Sequence, residues 1–201
     1  MSSSNSCVIG LDCGESCINK NYSCKSKLGD SIDTKETANF ATTISKVIVS
    51  DSLQKTEKTI GEGWSGVVGI TKKGTAYKRF KTENDDLFDN DDKKNEVQAF
   101  KALSDAGLGP KLLGISMTKI GRVIGYEMEY LRDHIKANDT TDLRRIAWEG
   151  KSDKILRQFA KMHAVGWSHG DIQFGNVLLK GDDVKIIDTG LATKINSPKG
   201  Y

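Results

Sequence analysis

Ser168-His169-Gly170-Asp171-Ile172-Gln173-Phe174-Gly175-Asn176-Val177-Leu178-Leu179, followed by Ile186-Ile187-Asp188-Thr189-Gly190, is the stretch on which the reading of this chain turns. An acid, an amide five residues later and a second acid twelve residues beyond the amide frame a turn and a short apolar run. Phosphoryl transfer needs such a set: one carboxylate to accept the proton of an attacking hydroxyl, and an amide with a second carboxylate to hold magnesium against ATP phosphates. Asp171 is the candidate for the first role, Asn176 and Asp188 for the second. The set is of use only if the chain upstream also supplies a phosphate cover and a lysine.

Upstream, Ile60 leads into Gly61-Glu62-Gly63-Trp64-Ser65-Gly66-Val67-Val68, which fits G-x-G-x-x-G-x-V throughout. A glycine pattern of this kind also opens dinucleotide-binding helices, but no helical period follows here. Val67-Val68-Gly69-Ile70, a Lys72-Lys73-Gly74 turn and Thr75-Ala76-Tyr77-Lys78-Arg79-Phe80 predict a hairpin instead. A glycine-rich strand-turn-strand brings backbone N–H groups over phosphates without Cβ interference. Lys78 is the candidate phosphate lysine. Arg79 and Lys81 are also at hand, but Lys78 alternates with Ala76 and Phe80 on the apolar face. A charge directed inward needs a partner. Asn95 to Leu103 carries Val97, Phe100 and Leu103 at helical spacing, and Glu96 leads into that face. Glu96 is therefore the candidate partner, a surface carboxylate being the other reading. Acids of the loop Asn84–Asp92 favour the start of this helix, and Gly107 with Pro110 stops it.

Leu112-Leu113-Gly114-Ile115 and Arg122 to Met128 read as two more antiparallel strands, completing five. After them, Ile155, Phe159 and Met162 mark an amphipathic helix, and residues 141–148 suit a further short one. His169 reads as a brace for the Asp171 loop, since Asp171 is better placed to orient a hydroxyl.

Length, charge and composition bound the rest. The 201 residues allow one domain, or one small two-lobed unit with a tail. Thirty basic residues stand against 27 acidic ones, a net charge of +3 that implies no nucleic-acid or membrane field. No apolar run reaches the roughly 18 residues of a membrane span. Residues 1–50 are rich in Ser, Thr, Asn, Lys and Gly and are expected to be disordered or weakly structured; only Ile44 to Val49 alternates as an edge strand or packed arm would. Such a tail suits a linker or a secretion segment. Cys7, Cys13, Cys17 and Cys24 all lie within it and lack the paired spacing of a zinc site.

Taken together, residues 60–190 resemble the protein-kinase-like superfamily in six elements in order: glycine loop, lysine, helix glutamate, hinge, H-G-D…N and D-x-G. The resemblance implies an α+β, two-lobed fold. A five-stranded antiparallel lobe (about 55–128) and a hinge (129–132) would lead to a short, mainly helical lobe (133–201). By the same resemblance, Gly61, Gly63 and Gly66, with Glu62, Trp64 and Ser65 between them, cover the ATP phosphates. Lys78 grips the phosphates against Glu96, Asp171 orients the acceptor, and Asn176 with Asp188 binds Mg²⁺. Met128 backs the adenine pocket, Glu129 and Leu131 line the hinge, and Ile60, Val68, Ala76 and Leu178 sandwich the base, although core packing alone would also explain these four.

Three positions depart from typical protein kinases. Gly170 replaces an arginine that reads a phosphorylated activation loop, Gln173 a lysine near the transferring phosphate, and Thr189 the phenylalanine of D-F-G. Thirteen residues follow Asp188, leaving no room for an A-P-E motif or a helical peptide platform. This short end, the intact catalytic set and the Ser-rich start are most similar to the HopBF family of type III secreted effector kinases. That resemblance implies a monomeric enzyme acting in a host cytoplasm on a protein substrate, at family level the ninety-kilodalton heat-shock chaperone. Small-molecule phosphotransfer of the aminoglycoside-kinase type, to which H-G-D also belongs, is one alternative; a nucleotide-binding pseudokinase is the other.

Overall fold

The computed structural model describes residues 11–13, 16–18, 48–82, 88–137 and 150–195. Its first unit, Met1–Ala38, is described only in a short antiparallel hairpin of β1 (Leu11–Cys13) and β2 (Ser16–Ile18). This pairing falls within the segment expected to be weakly structured.

The second unit, Asn39–Tyr201, is a mixed α+β structure built on a six-stranded sheet. Its strands are β3 (Ile48–Ser50), β4 (Thr56–Glu62), β5 (Gly66–Thr71), β6 (Ala76–Phe80), β7 (Leu112–Met117) and β8 (Val123–Met128), in the order β3-β7-β8-β6-β5-β4. The five antiparallel strands are those expected. The sixth, β3, adds parallel to the outer edge of β7, with Ile48 opposite Gly114. It takes in Ile48 and Val49, the last two residues of the expected edge strand or arm; Ile44 to Val47 lie outside the described residues. Alternation along β6 places Ala76, Lys78 and Phe80 inward, all buried, while Arg79 is exposed. That removes Arg79 as a rival to Lys78.

Helix α1 (Asn90–Asp105) begins where the sequence offers carboxylates. Asp89 accepts from the N–H groups of Asp91 and Asp92 at 2.8 and 3.0 Å, and Asp92 accepts from the Asp89 N–H at 3.1 Å. This reciprocal pair satisfies first-turn donors that have no partner within the helix. The helix ends in a left-handed Gly107 (φ 69°), with Leu108 N–H donating to the Leu103 carbonyl at 2.9 Å. The acidic loop expected before α1 is described only from Phe88 onward.

Two apolar clusters share this helix. Val97 and Phe100 pack with Phe80, Ile115, Tyr126 and Met128 under the sheet. Ala99 and Leu103 pack with Phe159, Met162, Val177 and Ile186 on the other side. Burying a Leu or Phe fully is worth roughly 1.5–3 kcal/mol, so α1 is held from two directions.

The C-terminal part departs from the mainly helical one expected. Among the described residues a single α-helix, α2 (Lys151–Ala164), and one 3₁₀ turn at Phe174–Asn176 stand beside five short strands: β9 (Ile135–Lys136), β10 (Trp167–Ser168), β11 (Val177–Lys180), β12 (Asp183–Ile186) and β13 (Thr193–Lys194). They form a β12-β11-β9 sheet and a β10–β13 pair. Alternate residues Val177, Leu179, Val184 and Ile186 are buried, which a two-residue turn at Gly181 (φ 57°) permits. Helix α2 buries Ile155, Phe159 and Met162, as its period predicts. The helix expected at 141–148 lies outside the described residues.

Candidate active site

Glycine geometry fixes the upper wall. Strands β4 and β5 meet at Gly63-Trp64-Ser65, closed by Gly63 N–H donating to the Gly66 carbonyl at 2.9 Å. Gly66 lies so close to β6 that an added Cβ would stand 2.5 Å from the Arg79 carbonyl oxygen and 3.2 Å from Lys78 Cε. Lys81 holds the hairpin from below, with its Nζ 2.7 Å from Glu62 and its N–H 3.0 Å from the Ser65 carbonyl. Trp64 is exposed, yet its ring meets Phe88 edge-on at 5.6 Å, and Phe88 packs on Phe80. This aromatic link from the hairpin tip to the start of α1 was not legible in the sequence, because its partner is 24 residues away.

Beneath the hairpin, Lys78 Nζ sits 2.6 Å from Glu96 Oε1 and 3.5 Å from Asp188 Oδ1. Glu96 is fully buried, and its Oε1 also accepts from the Tyr126 hydroxyl at 2.9 Å. Burial by itself would lower the Lys78 pKa; the charges of Glu96 and then Asp188, with their hydrogen bonds, outweigh it and raise the value. Burial, then Glu96, pushes the Tyr126 hydroxyl well above its ordinary range, so it stays protonated and donates. Both shifts are upward. Each contribution is therefore complete below the unfolded pKa, 10.5 for the lysine and 10.0 for the tyrosine, and is lost as pH rises through the folded value. Unfolding free energies of wild type and Tyr126→Phe, from denaturant titration, should accordingly differ by about 1.5–3 kcal/mol at pH 8. The gap should narrow as pH climbs beyond the ordinary tyrosine range.

The lower wall is the opening stretch. Strand β10 leads to His169, which is buried and bridges two segments. Its Nδ1 accepts from the Asp171 N–H at 3.3 Å, so its Nε2 carries the proton and donates to the Ile187 carbonyl at 2.9 Å. His169 is the brace expected of it. Asn176 Nδ2 faces two acceptors, the Asp171 carbonyl at 3.0 Å and Asp171 Oδ2 at 2.8 Å. That settles which end of the amide is nitrogen and leaves its carbonyl oxygen on the other side. Gln173 Nε2 donates to the same Oδ2 at 2.7 Å. With Oδ2 shared by two amides, Oδ1 is the Asp171 oxygen that neither bond engages. This role for Gln173 was missed, since the sequence showed only that a lysine was replaced.

Strands β11 and β12 then bring the second acid alongside. Val177 pairs with Ile186, and Ile187 N–H donates to the Asn176 carbonyl at 2.9 Å, so Asn176 and Asp188 emerge at the same end of one hairpin. Asp188 alone among the described non-glycine residues has a positive φ (60°), and its side chain is half exposed. A left-handed conformation is costly for a side-chain-bearing residue but least so for Asp and Asn. An amide oxygen and a half-exposed carboxylate are hard oxygen donors that fit magnesium, which is commonly bound through one or two carboxylates with substrate phosphates. Gly190, two residues on, lies beside both acids: a Cβ there would make ordinary contact, 3.4 Å from Glu96 Oε2 and 3.5 Å from Asp188 Oδ1.

The remaining candidates divide by burial. Ala76 and Met128 face each other across β6 and β8 and are buried. Val68, Leu131 and Leu178 are half-buried, and Ile60 and Glu129 are exposed. Glu129 N–H donates to the Lys111 carbonyl at 2.9 Å, tying the segment after β8 back to the start of β7.

Gly170 explains one departure. It has φ 77°, and a Cβ there would collide with the Leu191 carbonyl oxygen. The backbone of the segment after Asp188 occupies the space an arginine would need. Gly170→Ala should cost at least about 1–2 kcal/mol for the left-handed backbone alone, with more from displacing Leu191. A denaturant midpoint equal to that of wild type would contradict this close approach. No family model matches the chain, and no curated protein matches it.

Proposed function

We propose that this chain is a small two-lobed, protein-kinase-like enzyme that transfers the γ-phosphoryl group of ATP to a Ser or Thr hydroxyl of a protein. The observation that carries the reading is the buried Lys78–Glu96 pair at 2.6 Å with Asp188 at 3.5 Å, lying beneath a glycine hairpin. A buried ammonium already partnered by a carboxylate, with a second, half-exposed one beside it, suits a site that receives phosphate oxygens and a cation. Gly61, Gly63 and Gly66 shape the cover, and Ala76, Val68 and Leu178 supply apolar surface for the base.

Asn176 and Asp188 would hold Mg²⁺, which when bound neutralises charge on the phosphates. Asp171, its Oδ2 fixed by Asn176 and Gln173, receives the acceptor's proton on Oδ1. Lys78 stays charged because Glu96 is fixed behind it. Catalysis on this reading is positioning and charge neutralisation, with no covalent intermediate.

A protein acceptor is favoured over a polycationic sugar by the exposed side chains around Asp171. Ile172 follows it, Phe174 stands three residues on, and Leu191 packs by Gly170; all three are apolar and exposed. A polycation would want carboxylates there. On this reading, the Ser- and Thr-rich composition of residues 1–50 suits delivery into a host cytoplasm, and the resemblance to the HopBF family makes the ninety-kilodalton heat-shock chaperone the first candidate target.

The test is transfer from γ-labelled ATP to eukaryotic lysate, to the purified chaperone and to aminoglycosides, followed by mass spectrometry of the labelled product. Labelling of protein that is lost in Asp171→Asn is expected. Labelling of aminoglycosides alone would move the reading to small-molecule transfer, and Mg²⁺-ATP binding without turnover would move it to a pseudokinase.

A further inference from the structure

The segment after Asp188 is stitched to α1 and to the Asp171 loop by contacts that need no added group. Thr189 is fully buried and donates its hydroxyl proton to the Glu96 carbonyl at 3.0 Å. Asn95 Nδ2 donates to the Ala192 carbonyl at 2.6 Å. Ala192 is buried too, and its N–H closes a turn on the Thr189 carbonyl at 3.0 Å. Further on, β13 pairs with β10, and Ile195 N–H donates to the Gly166 carbonyl at 2.8 Å. One short run of chain thus grips the helix that carries Glu96 on one side and the strand that leads to Asp171 on the other.

The grip on α1 falls on two consecutive residues. A bond to the Asn95 side chain and a bond to the Glu96 carbonyl fix both the rotation of that turn and its height along the axis. The Glu96 carboxylate can reach Lys78 only while both are fixed; among the described residues its other partner is the Tyr126 hydroxyl on Oε1, and its Oε2 has none. Thr189 suits its place because a hydroxyl this short reaches a carbonyl that is already part of a helix. An aromatic ring there could not make this bond.

We propose that Thr189 and Asn95 are positioning residues that hold Glu96 on Lys78, so that the site stands assembled without phosphorylation of the segment that follows Asp188. The proposal rests on the ATP-site reading above and names what keeps that site in register.

The experiment compares wild type, Thr189→Val, Thr189→Ser and Asn95→Ala. Valine matches the shape of threonine and removes only the donor; serine keeps the donor. Each protein is freed of phosphate, checked by intact mass, and assayed for ATP KM, for kcat, and for hydrogen exchange along α1 without nucleotide. Unphosphorylated wild type should be active. Thr189→Val and Asn95→Ala should each lower kcat/KM for ATP about tenfold, the scale of one buried hydrogen bond, and speed exchange around residues 93–100. Thr189→Ser should restore both readings.

The proposal is overturned if Thr189→Val matches wild type in exchange and kcat/KM, if serine is no better than valine, or if wild type needs phosphate to work. Should Thr189→Val fail to fold, Asn95→Ala decides by the same two readings, since Asn95 is only half-buried. Failure of wild type to bind Mg²⁺-ATP would count against the ATP site instead. The exchange comparison would still judge the latch.

Discussion

Replacing Asp171 by Asn is expected to reduce phosphoryl transfer about 10²–10⁴-fold, the usual worth of a positioned proton acceptor, while Mg²⁺-ATP binding persists. The geometry gives the reason. In wild type, Oδ2 takes bonds from Asn176 and Gln173, and on the proposed reading Oδ1 is the oxygen left for the acceptor hydroxyl. An asparagine has one acceptor oxygen. If that oxygen keeps the two amides, the other atom is an NH₂ that cannot accept a proton. If it turns outward, two amide donors face an NH₂ and the loop loosens. Either arrangement stops turnover, and the folded state should lose only about 1 kcal/mol. Labelled transfer, calorimetric ATP titration and a melting curve on one preparation separate these effects. Equal transfer by variant and wild type would remove Asp171 from the chemistry.

Lys78→Met should have the largest effect on stability. It leaves the fully buried Glu96 carboxylate with the Tyr126 hydroxyl as its remaining hydrogen-bond partner among the described residues. Removing one member of a buried pair costs about 3–5 kcal/mol, a large share of the 5–15 kcal/mol that holds a typical domain. The double variant Lys78→Met with Glu96→Leu separates the two roles of the pair. Apolar replacement of both members should return most of the lost stability, because the stranded charge is gone. It should not return activity or the thermal protection by Mg²⁺-ATP that the proposed function predicts for wild type. Denaturant midpoints for the three proteins, with and without nucleotide, decide this. A Lys78→Met protein as stable as wild type and still protected by nucleotide would dismiss both roles.

Where the determinants are local or periodic, the sequence was a good guide. The glycine hairpin, the inward face of β6, the apolar stripes of α1 and α2 and the five antiparallel strands follow from period and turn chemistry over short spans. The Lys78–Glu96 pairing was also legible, since an inward charge on a strand demands a partner and the next helix offered one. What escaped is non-local or too short to have a period. Strands of two or three residues such as β9, β10 and β13 carry no pattern, and the parallel partner of β3 lies more than sixty residues on. The donation from Gln173 to Asp171 depends on a rotamer, and the approach of Leu191 to Gly170 on a chain reversal. Thr189 is the instructive case. Read against a phenylalanine it was only a substitution, whereas its hydroxyl bond to the Glu96 carbonyl gives it a place of its own.

The three residues of β3 have a consequence for where the chain can be cut. They cover the outer edge of β7 with a parallel ladder from Ile48 to Ser50. A trimmed protein beginning before Ile48 keeps that edge paired. One beginning after Ser50 bares backbone donors and acceptors along an apolar strand, the template on which chains stack on one another. The boundary between a well-behaved protein and a sticky one should therefore fall within three residues.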